Sequence, residues 1–310
     1  MPSAECRAPS AELTFPSMRI HLIDGTYELY RHFFAVPPSS DRDGHEVGAI
    51  VGVLGSLLGM LQDGATHLAV ATDHVVESFR NGLWAGYKTG EGIEPSLHRQ
   101  FHPLEDALRA MGVVVWAMKE FEADDGLAAA ARVAAADDRV EQVLICTPDK
   151  DLGQCVVGQR VVQFDRRNRE IRDEAGVVAK FGVKPASIPD YLALVGDTAD
   201  GFPGVRGWGA KSAAAVLARY GHLEAIPADS ATWDIPVRGA ARLSASLEAD
   251  RGQAFLFRTL ATLRDDAPVC RSVDELRWAG PGPEFETGAR QLGAPHLWDR
   301  ARRIANPTGR

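Results

Sequence analysis

Apolar and polar residues alternate along the first part of the chain in a way that predicts a sheet flanked by helices. Short apolar runs predict five strands, at residues 18–24, 67–73, 113–116, 143–147 and 161–164. Longer stretches with helical spacing or high alanine content lie between them, at 47–61, 95–111 and after 122. Strands that alternate with helices are typical of an α/β fold with a mostly parallel central sheet.

The pattern changes at about residues 182–185. Prolines punctuate helical stretches beyond this point, no strong strand pattern follows, and a final helix is predicted at about 288–304. We therefore predict a flexible extension at 1–17, an α/β domain at 18–184 and a helical region at 185–310. Within the α/β domain, the glycine-rich residues 74–95 are interpreted as a helical arch or lid.

The composition narrows the class of protein. The 310 residues carry a formal net charge of −8, which alone does not point to nucleic acid, although bound cations would mask part of it. No apolar run reaches the roughly 18 residues that a membrane span requires. The opening residues do not look like a signal peptide, and the four cysteines form no CxxC pair. These features predict a cytoplasmic protein without structural zinc, and nothing suggests more than a monomer.

Aspartates follow three of the predicted strands at the point where each strand ends. Asp24, Asp73 and Asp149 stand at or just beyond the carboxyl ends of separate strands, and Asp151 lies two residues after Asp149. Ligands of open α/β sheets bind in the crevice outside those ends, so we expect these side chains to converge. Any one of them alone is better explained as a helix cap or a turn residue.

Further acids begin an alanine-rich helix and recur in the second half of the chain. They are Glu122, Asp124, Asp125, Asp197 and Asp200. The helix dipole favours acids in a first turn, but so many carboxylates at one place would repel each other without cations. Oxygen ligands favour Mg²⁺ or Mn²⁺ over zinc, and two such ions can assist the hydrolysis of a phosphodiester.

A glycine-rich turn in the helical region predicts a phosphate contact. Gly204, Gly207 and Gly209 precede a helix that carries Lys211 near its start. Backbone N–H groups in such a turn, together with the lysine, can hold a phosphate of a nucleic-acid backbone. The spacing differs from that of a P-loop, and no strand precedes the turn, so a nucleotide-binding loop is not predicted.

Three cations nearer the N-terminus are candidates for DNA contacts. Arg80 and Lys88 lie in a segment that mixes aromatic residues with glycine, and Arg31 follows Asp24 by one or two helical turns. The segment is either a mobile surface loop or a lid that brings Arg80 and Lys88 to a phosphate. Arg31 is either a DNA contact or a solvated helix residue.

Six blocks of the sequence together resemble the bacterial flap endonucleases, which comprise the 5′-nuclease domain attached to DNA polymerase I and its standalone relatives. The blocks keep their order between about residues 18 and 226, and they cover residues 22–31, 78–80, 86–88, 121–125, 147–152 and 196–200. The glycine-rich turn is similar to the helix–three-turn–helix motif of that family, which grips duplex backbone. The resemblance implies a PIN-like nuclease fold followed by this motif, in a standalone enzyme.

The resemblance also implies a role for each matching acid. The acids that would surround one metal ion are Asp24, Asp73, Glu122 and Asp124. Those that would surround a second ion are Asp149, Asp151 and Asp200, with Glu122 between the two ions. Asp125 and Asp197 match acids of the bacterial branch, which implies a metal contact through water or a third ion.

The cations and the glycine turn take their implied roles from the same resemblance. Arg80 and Lys88 match residues at the base of an arch through which the 5′ strand passes, where they would polarise the scissile phosphate. The turn implies a potassium ion held by backbone carbonyls. One departure is Glu91, which stands near the position where the family has a cation, in an arch that is short and rich in glycine.

The sequence therefore predicts a divalent-metal-dependent 5′ nuclease that acts on DNA as a 5′-3′ exonuclease and a 5′-flap endonuclease in replication and repair. We expect water to be the nucleophile, and the products to be a 5′-phosphate and a 3′-hydroxyl. Two alternatives remain open at this point, a catalytically silent module that binds DNA structures and a PIN-type ribonuclease.

Overall fold

The computed structural model describes residues 18–306, so the predicted extension at 1–17 lies outside the described residues. Its strands are β1 (Met18–Asp24), β2 (His67–Asp73), β3 (Val114–Met118), β4 (Val140–Cys146), β5 (Val161–Asp165) and β6 (Glu170–Arg172). They form one sheet in the order β3-β2-β1-β4-β5-β6, in which β1 to β5 are parallel and β6 is antiparallel to β5. The predicted α/β class with a mostly parallel sheet is confirmed.

The helices lie on both faces of the sheet and in a separate C-terminal layer. In the first half they are α1 (Gly25–Ala35), α2 (Gly48–Gln62), α3 (Pro95–His98), α4 (Phe101–Ala110), α5 (Ala123–Ala135) and α6 (Glu174–Phe181). In the second half they are α7 (Ile188–Val195), α8 (Ala210–Tyr220), α9 (Ala240–Ala249), α10 (Arg251–Ala261), α11 (Glu284–Gln291) and α12 (His296–Ala305).

Alternating side chains of the strands supply two separate cores. Ile20 and Leu22 of β1 pack with the alanine-rich face of α5, whereas Ile23 points to the opposite face, where α2 and α4 lie. Small alanines allow α5 to lie close to the sheet. As a result, the first turn of α5 is held firmly at the carboxyl edge of the strands.

The structure corrects two predicted helices, and proline has a part in both corrections. The helix expected at 95–111 is divided into α3 and α4, because the ring of Pro103 would clash with the carbonyl of Arg99 in a continuous helix. The helix expected at 288–304 is divided into α11 and α12, where Gly293 has a φ of 68° and Pro295 precedes α12. Strand β6 was not predicted, since three residues carry too little pattern.

Residues 74–95 do not form a helical arch. Within this described segment, the helical residues are the single 3₁₀ turn Phe79–Gly82 and Pro95, the first residue of α3. Residues 78–88, which we name the strap, run along the protein surface, and Tyr87 of the strap is buried in the helical layer. The remainder, around Glu91, is an exposed loop.

The C-terminal half packs in two places. Helices α7 to α10 form their own core, but Phe285 and Ala289 of α11 and Leu297 of α12 belong to the core under α2 and α4. The sequence placed all residues after 184 in one helical region, whereas in the structure α11 and α12 pack against the helices that cover the sheet. Residues from the end of the described chain therefore complete the hydrophobic core on this side of the sheet.

Neither a membrane-crossing helix nor a disulfide is found among residues 18–306. No helix in this range combines the length and the apolar content that a bilayer crossing needs. The thiols of Cys146, Cys155 and Cys270 are free.

Candidate metal centre and nucleic-acid interface

The predicted strand-end aspartates do meet at one edge of the sheet. Asp24 caps α1 by accepting the Tyr27 N–H at 2.8 Å, and its second oxygen accepts the Thr147 hydroxyl at 3.0 Å. Thr147 follows β4, so this bond joins the ends of β1 and β4, where the strand order reverses. Asp73, at the end of β2, accepts the Ala123 N–H at 2.8 Å and so joins α5 to the same edge.

Burial and repulsion act on these acids together. The pKa of Asp24 is raised to about 7, first by burial and then by repulsion from Asp73 and Asp149. The pKa of Asp124 is raised well above its ordinary value by burial and by repulsion from Asp149 and Asp24. Carboxylates that raise one another's pKa in this way share a small volume, as the sequence predicted.

A second group of acids lies beside the first. One oxygen each of Asp151, Asp197 and Asp200 falls within 4.8 Å of the others. Burial raises the pKa of Asp151, and repulsion from Asp149 is the next cause, so Asp149 lies between the two groups. The Asp197 carboxylate forms an ion pair with Lys150 at 2.6 Å.

Glu122 links the two groups of acids to the strap, because every side chain that donates a hydrogen bond to its carboxylate belongs to the strap. These donors, with their distances to a Glu122 oxygen, are Ser78 Oγ (2.6 Å), Arg80 Nη1 (3.1 Å), Tyr87 Oη (3.3 Å) and Lys88 Nζ (2.7 Å). Burial alone would raise the pKa of Glu122, but the charges of Lys88 and Arg80 outweigh burial and lower that pKa. Glu122 is therefore ionised at neutral pH.

Lys88 bridges the sheet and the helical layer. Its ammonium lies 2.7 Å from Glu122 and 3.1 Å from Asp200. Burial lowers the pKa of Lys88, but Glu122 and Asp200 together raise it well above its ordinary value. The lysine therefore carries its charge between Glu122 and Asp200.

Arg80 and Asp125 bind each other, an arrangement that the sequence did not predict. Arg80 is 1% exposed, and its guanidinium forms a bidentate ion pair with Asp125 at 2.7 and 2.8 Å. Both Asp125 oxygens are thus taken, and the backbone N–H groups of Glu122 and Arg264 donate to them as well. The two side chains therefore compensate each other's charge, and a metal contact of Asp125 or a phosphate contact of Arg80 stays a prediction.

The glycine turn lies where the sequence placed it, between α7 and α8. Gly204 has a φ of 72°, and a Cβ there would come within 2.4 Å of the Gly196 nitrogen, so the turn requires glycine. Gly207 also has positive φ, whereas Gly209 is extended and caps α8. Lys211 is exposed in the first turn of α8, so it and the helix N-terminus face solvent together.

Arg31 is less available than predicted. Its guanidinium pairs with Glu28, a buried acid of α1, and lies 2.9 Å from the ring of His32. Arg166, from the turn after β5, also reaches Glu28, at 3.1 Å. Arg31 therefore belongs to a charge network under α1, and a contact with DNA stays a prediction.

An apolar groove leads away from the acid cluster. It has a volume of about 530 Å³ and runs between α1 and the loop that contains Glu91. Asp73 and Lys88 stand among its lining residues, and Tyr30 and Phe34 supply aromatic walls. Phe34 is 75% exposed, which is unusual for so large an apolar side chain.

Sequence reasoning missed several residues that the structure places in the site. Lys150 lies between the predicted ligands Asp149 and Asp151. A single basic residue between two acids was a signal in the sequence that could have placed it in the site. Ser78 and Tyr87 lie in the blocks that carried the family resemblance, but hydroxyl groups have no distinctive spacing. Arg242, which lies against Gly207, comes from α9 and had no signal in sequence.

The chemistry of the cluster fits divalent cations. All candidate ligands are carboxylates, the oxygen donors that Mg²⁺ and Mn²⁺ prefer. Burial and repulsion raise the pKa of Asp24, Asp124 and Asp151, and bound cations would relieve that repulsion. Among the described residues, the buried Oδ1 of Asp151 has no hydrogen-bond partner, which leaves it available to a metal ion.

Two family models match consecutive parts of the chain between residues 19 and 284. Residues 19–182 match the family model of the 5′-3′ exonuclease N-terminal resolvase-like domain, and residues 183–284 match that of the 5′-3′ exonuclease C-terminal SAM fold. The two models together cover the sheet, the acid cluster and the glycine turn.

Two relatives differ in how much of their length the chain spans. DNA polymerase I of Pseudomonas aeruginosa is 39% identical over 265 residues, which are 82% of this chain but 28% of that protein. A 5′-3′ exonuclease of Aquifex aeolicus is 35% identical over 209 residues, which are 67% of this chain and 71% of that protein. The chain therefore spans less than a third of the polymerase and most of the exonuclease.

A solved structure shares the fold over nearly its full length. It is the bacteriophage T5 D15 flap endonuclease, in a complex with DNA and metal ions. The similarity has a TM-score of 0.59 at 18% identity, and it covers 92% of this chain and 97% of the other.

Proposed function

The chain belongs to the 5′-3′ exonuclease family, and from that premise we propose that it is a divalent-metal-dependent nuclease that hydrolyses DNA at 5′ ends and 5′ flaps. The observation that carries the proposal is the convergence of carboxylates from the sheet and from the helical layer around Glu122 and Lys88. A relative with the same fold shows only the architecture, whereas these converging side chains could hold the metal ions that assist hydrolysis of a phosphodiester.

The acid cluster would hold two or three Mg²⁺ or Mn²⁺ ions. The ligands proposed for one ion are Asp24, Asp73, Glu122 and Asp124, and those proposed for another are Glu122, Asp149, Asp151 and Asp200, with Asp197 nearby. When bound, such ions lower the pKa of water and neutralise charge on a phosphate. Asp125 is left out of the set of direct ligands, because its carboxylate pairs with Arg80 and also accepts two backbone N–H groups, whereas the donors to Glu122 are side chains of the strap.

Lys88 and the groove would hold the reacting part of the DNA. Lys88 keeps its positive charge beside Glu122, so it can stabilise negative charge that develops on a phosphate. The aromatic groove next to Lys88 suits an unpaired base at the 5′ end, since bases stack on Tyr and Phe side chains.

The glycine turn would hold the duplex part of the substrate. Gly204 and Gly207 bend the backbone before α8, and Lys211 adds a cation at its start. Such a site contacts phosphates without reading bases, which suits recognition of DNA structure rather than sequence. A potassium ion in this turn, and a monomeric state, are predictions that accompany the proposal.

The proposed function is tested by incubating the protein with a 5′-labelled DNA flap, with a matched RNA flap, and with Mg²⁺, Mn²⁺ or EDTA. We expect cleavage of the DNA flap near its junction, with a 5′-phosphate product, in either metal and none in EDTA. Cleavage confined to the RNA flap would support a ribonuclease instead. Binding of the DNA flap without cleavage in either metal would support a silent DNA-binding module.

A further inference from the structure

Arg80 joins the strap to two other parts of the chain, and all five of its N–H donors are used. Nε donates to the Leu260 carbonyl at 2.8 Å, and one Nη2 proton to the Thr262 carbonyl at 3.1 Å. Nη1 reaches Glu122 at 3.1 Å, and both terminal nitrogens reach Asp125. The planar, forked guanidinium is the one side chain that can make this set of bonds.

Asp125 is held as completely as its partner. It is 0% exposed, and each of its oxygens accepts one bond from Arg80. In addition, Oδ1 accepts the Arg264 N–H at 2.8 Å and Oδ2 accepts the Glu122 N–H at 3.0 Å. A buried ion pair is retained only when each charge is fully compensated, and here both charges are.

Two of the segments that meet at this ion pair carry residues of the proposed metal centre: the strap carries Lys88, and the start of α5 carries Glu122. Glu122 is the acid that faces both groups of ligands, and the segment 260–264 continues from α10. Helix α10 carries Phe257, which stacks on Phe202 at 5.4 Å, next to the turn that holds Asp200. The ion pair therefore ties the Glu122 end of α5 to the layer that carries Asp200.

We infer that Arg80 is a positioning residue: through Asp125 and the carbonyls of residues 260 and 262 it fixes Glu122 relative to the helical layer, without touching DNA. The inference rests on the proposed function, because it concerns the geometry of the same centre. It replaces the phosphate contact that the family resemblance implied for Arg80.

The test compares Arg80→Lys, Asp125→Asn and the double variant with Arg132→Lys as a matched control. Arg132 is an exposed arginine on α5 that pairs with exposed Asp265. Three quantities are measured in each protein: Mn²⁺ affinity without DNA, flap affinity in Ca²⁺, and the single-turnover cleavage rate in Mg²⁺. Folding is checked by circular dichroism melts.

If Arg80 acts through Asp125, either single variant weakens Mn²⁺ binding and slows cleavage by about 10- to 100-fold, as losses around a metal centre do. Flap affinity changes by less than about twofold. The double variant loses no more Mn²⁺ affinity and cleavage rate than the more impaired single variant, because both substitutions break the same ion pair. The control behaves as wild type in all three measurements.

Other results would overturn the inference. If Arg80→Lys weakens flap binding while Asp125→Asn keeps wild-type Mn²⁺ affinity and rate, Arg80 contacts phosphate directly. If Arg80→Lys does not fold, Asp125→Asn decides by the same criterion, and unfolding of both variants would assign the pair to folding alone. Mn²⁺ affinity is measured without cleavage, so an inactive wild type would reject the proposed function and still leave this comparison decisive.

Discussion

Several acids of the site also hold the backbone that presents them. Asp24 caps α1, Asp73 accepts the first N–H of α5, and Asp125 accepts the N–H of Glu122. An alanine at any of these positions would remove a helix cap together with a carboxylate. Asp151 differs, because its Oδ1 is buried without a partner. Substitution there reports on the metal centre with little effect on the local backbone.

Replacing Asp151 by Asn should reduce cleavage of a DNA flap by more than about 100-fold, since losses in the shell outside the ligands alone cost about 10- to 100-fold. The amide keeps the size of the side chain but not its charge, so flap affinity in Ca²⁺ should change little. Single-turnover assays and fluorescence anisotropy measure the two effects.

A suitable control for Asp151→Asn is Asp173→Asn. Asp173 caps α6 through the Gly176 N–H, and Asn caps a helix as well as Asp does, so this variant should keep wild-type cleavage. Cleavage by Asp151→Asn at the rate of this control would remove Asp151 from the proposed ligand set.

At the residue scale, the sequence predicted the acids better than their partners. Asp24, Asp73 and Asp149 were predictable because parallel strands deliver their carboxyl ends to one edge. The Arg80–Asp125 pair was not, because its geometry depends on carbonyls of residues 260 and 262, far along the chain. Periodicity does not report which distant backbone groups a buried cation will meet.

The strap shows how an element without regular structure can still be fixed in place. Trp84 donates its indole N–H to the Gly201 carbonyl at 3.0 Å, and its ring meets Phe257 edge-on at 5.2 Å. Lys88 donates its backbone N–H to the Asp200 carbonyl at 3.1 Å. The glycine-rich composition suggested a mobile surface loop or a lid here, but glycine serves close packing, because Gly86 and Gly201 lie backbone to backbone.

Replacing Gly201 by Ala should therefore release the strap. Gly201 has a φ of 82°, and a Cβ there would come within 1.9 Å of the Gly86 carbonyl oxygen. Strain and lost packing should lower the free energy of unfolding by about 1–3 kcal/mol and expose the strap to protease. Urea unfolding and limited proteolysis measure both effects.

Gly252→Ala provides the comparison for this strap variant. Gly252 lies in α10, and a Cβ there meets no atom within 4 Å, so the change should be neutral or stabilising by up to about 1 kcal/mol. Equal stability of the two variants would show that the strap is not held at Gly201.

At the scale of the whole molecule, α12 near the C-terminus packs against α2 near the N-terminus. Leu297 of α12 is 1% exposed and reaches α2, where a Cβ on Gly55 would meet its side chain at 3.9 Å. Arg300 of the same helix donates to the Gly55 carbonyl at 2.9 Å. The sequence did predict a helix near this end, but amphipathic spacing does not reveal which surface will receive it, so its return to the sheet could not be foreseen.

Leu297→Ala should destabilise the sheet domain and not only α12. Removing a fully buried leucine costs about 2–5 kcal/mol in free energy of unfolding. Urea unfolding followed by circular dichroism and by tryptophan fluorescence should shift together to lower denaturant.

In the same helix, exposed Arg303→Ala should change the free energy of unfolding by no more than about 0.5 kcal/mol. A Leu297→Ala transition that separates into two steps, with the sheet domain unchanged, would show that α12 packs independently.

The packing of α12 on α2 also sets an order of events during synthesis. Helices α2 and α4 leave the ribosome long before α11 and α12 exist, so an apolar surface of the first domain stays uncovered in the growing chain. At typical elongation rates this interval lasts on the order of tens of seconds. Such an exposed surface is what chaperones bind, so we expect the nascent chain to be protected by chaperones until α11 and α12 are made.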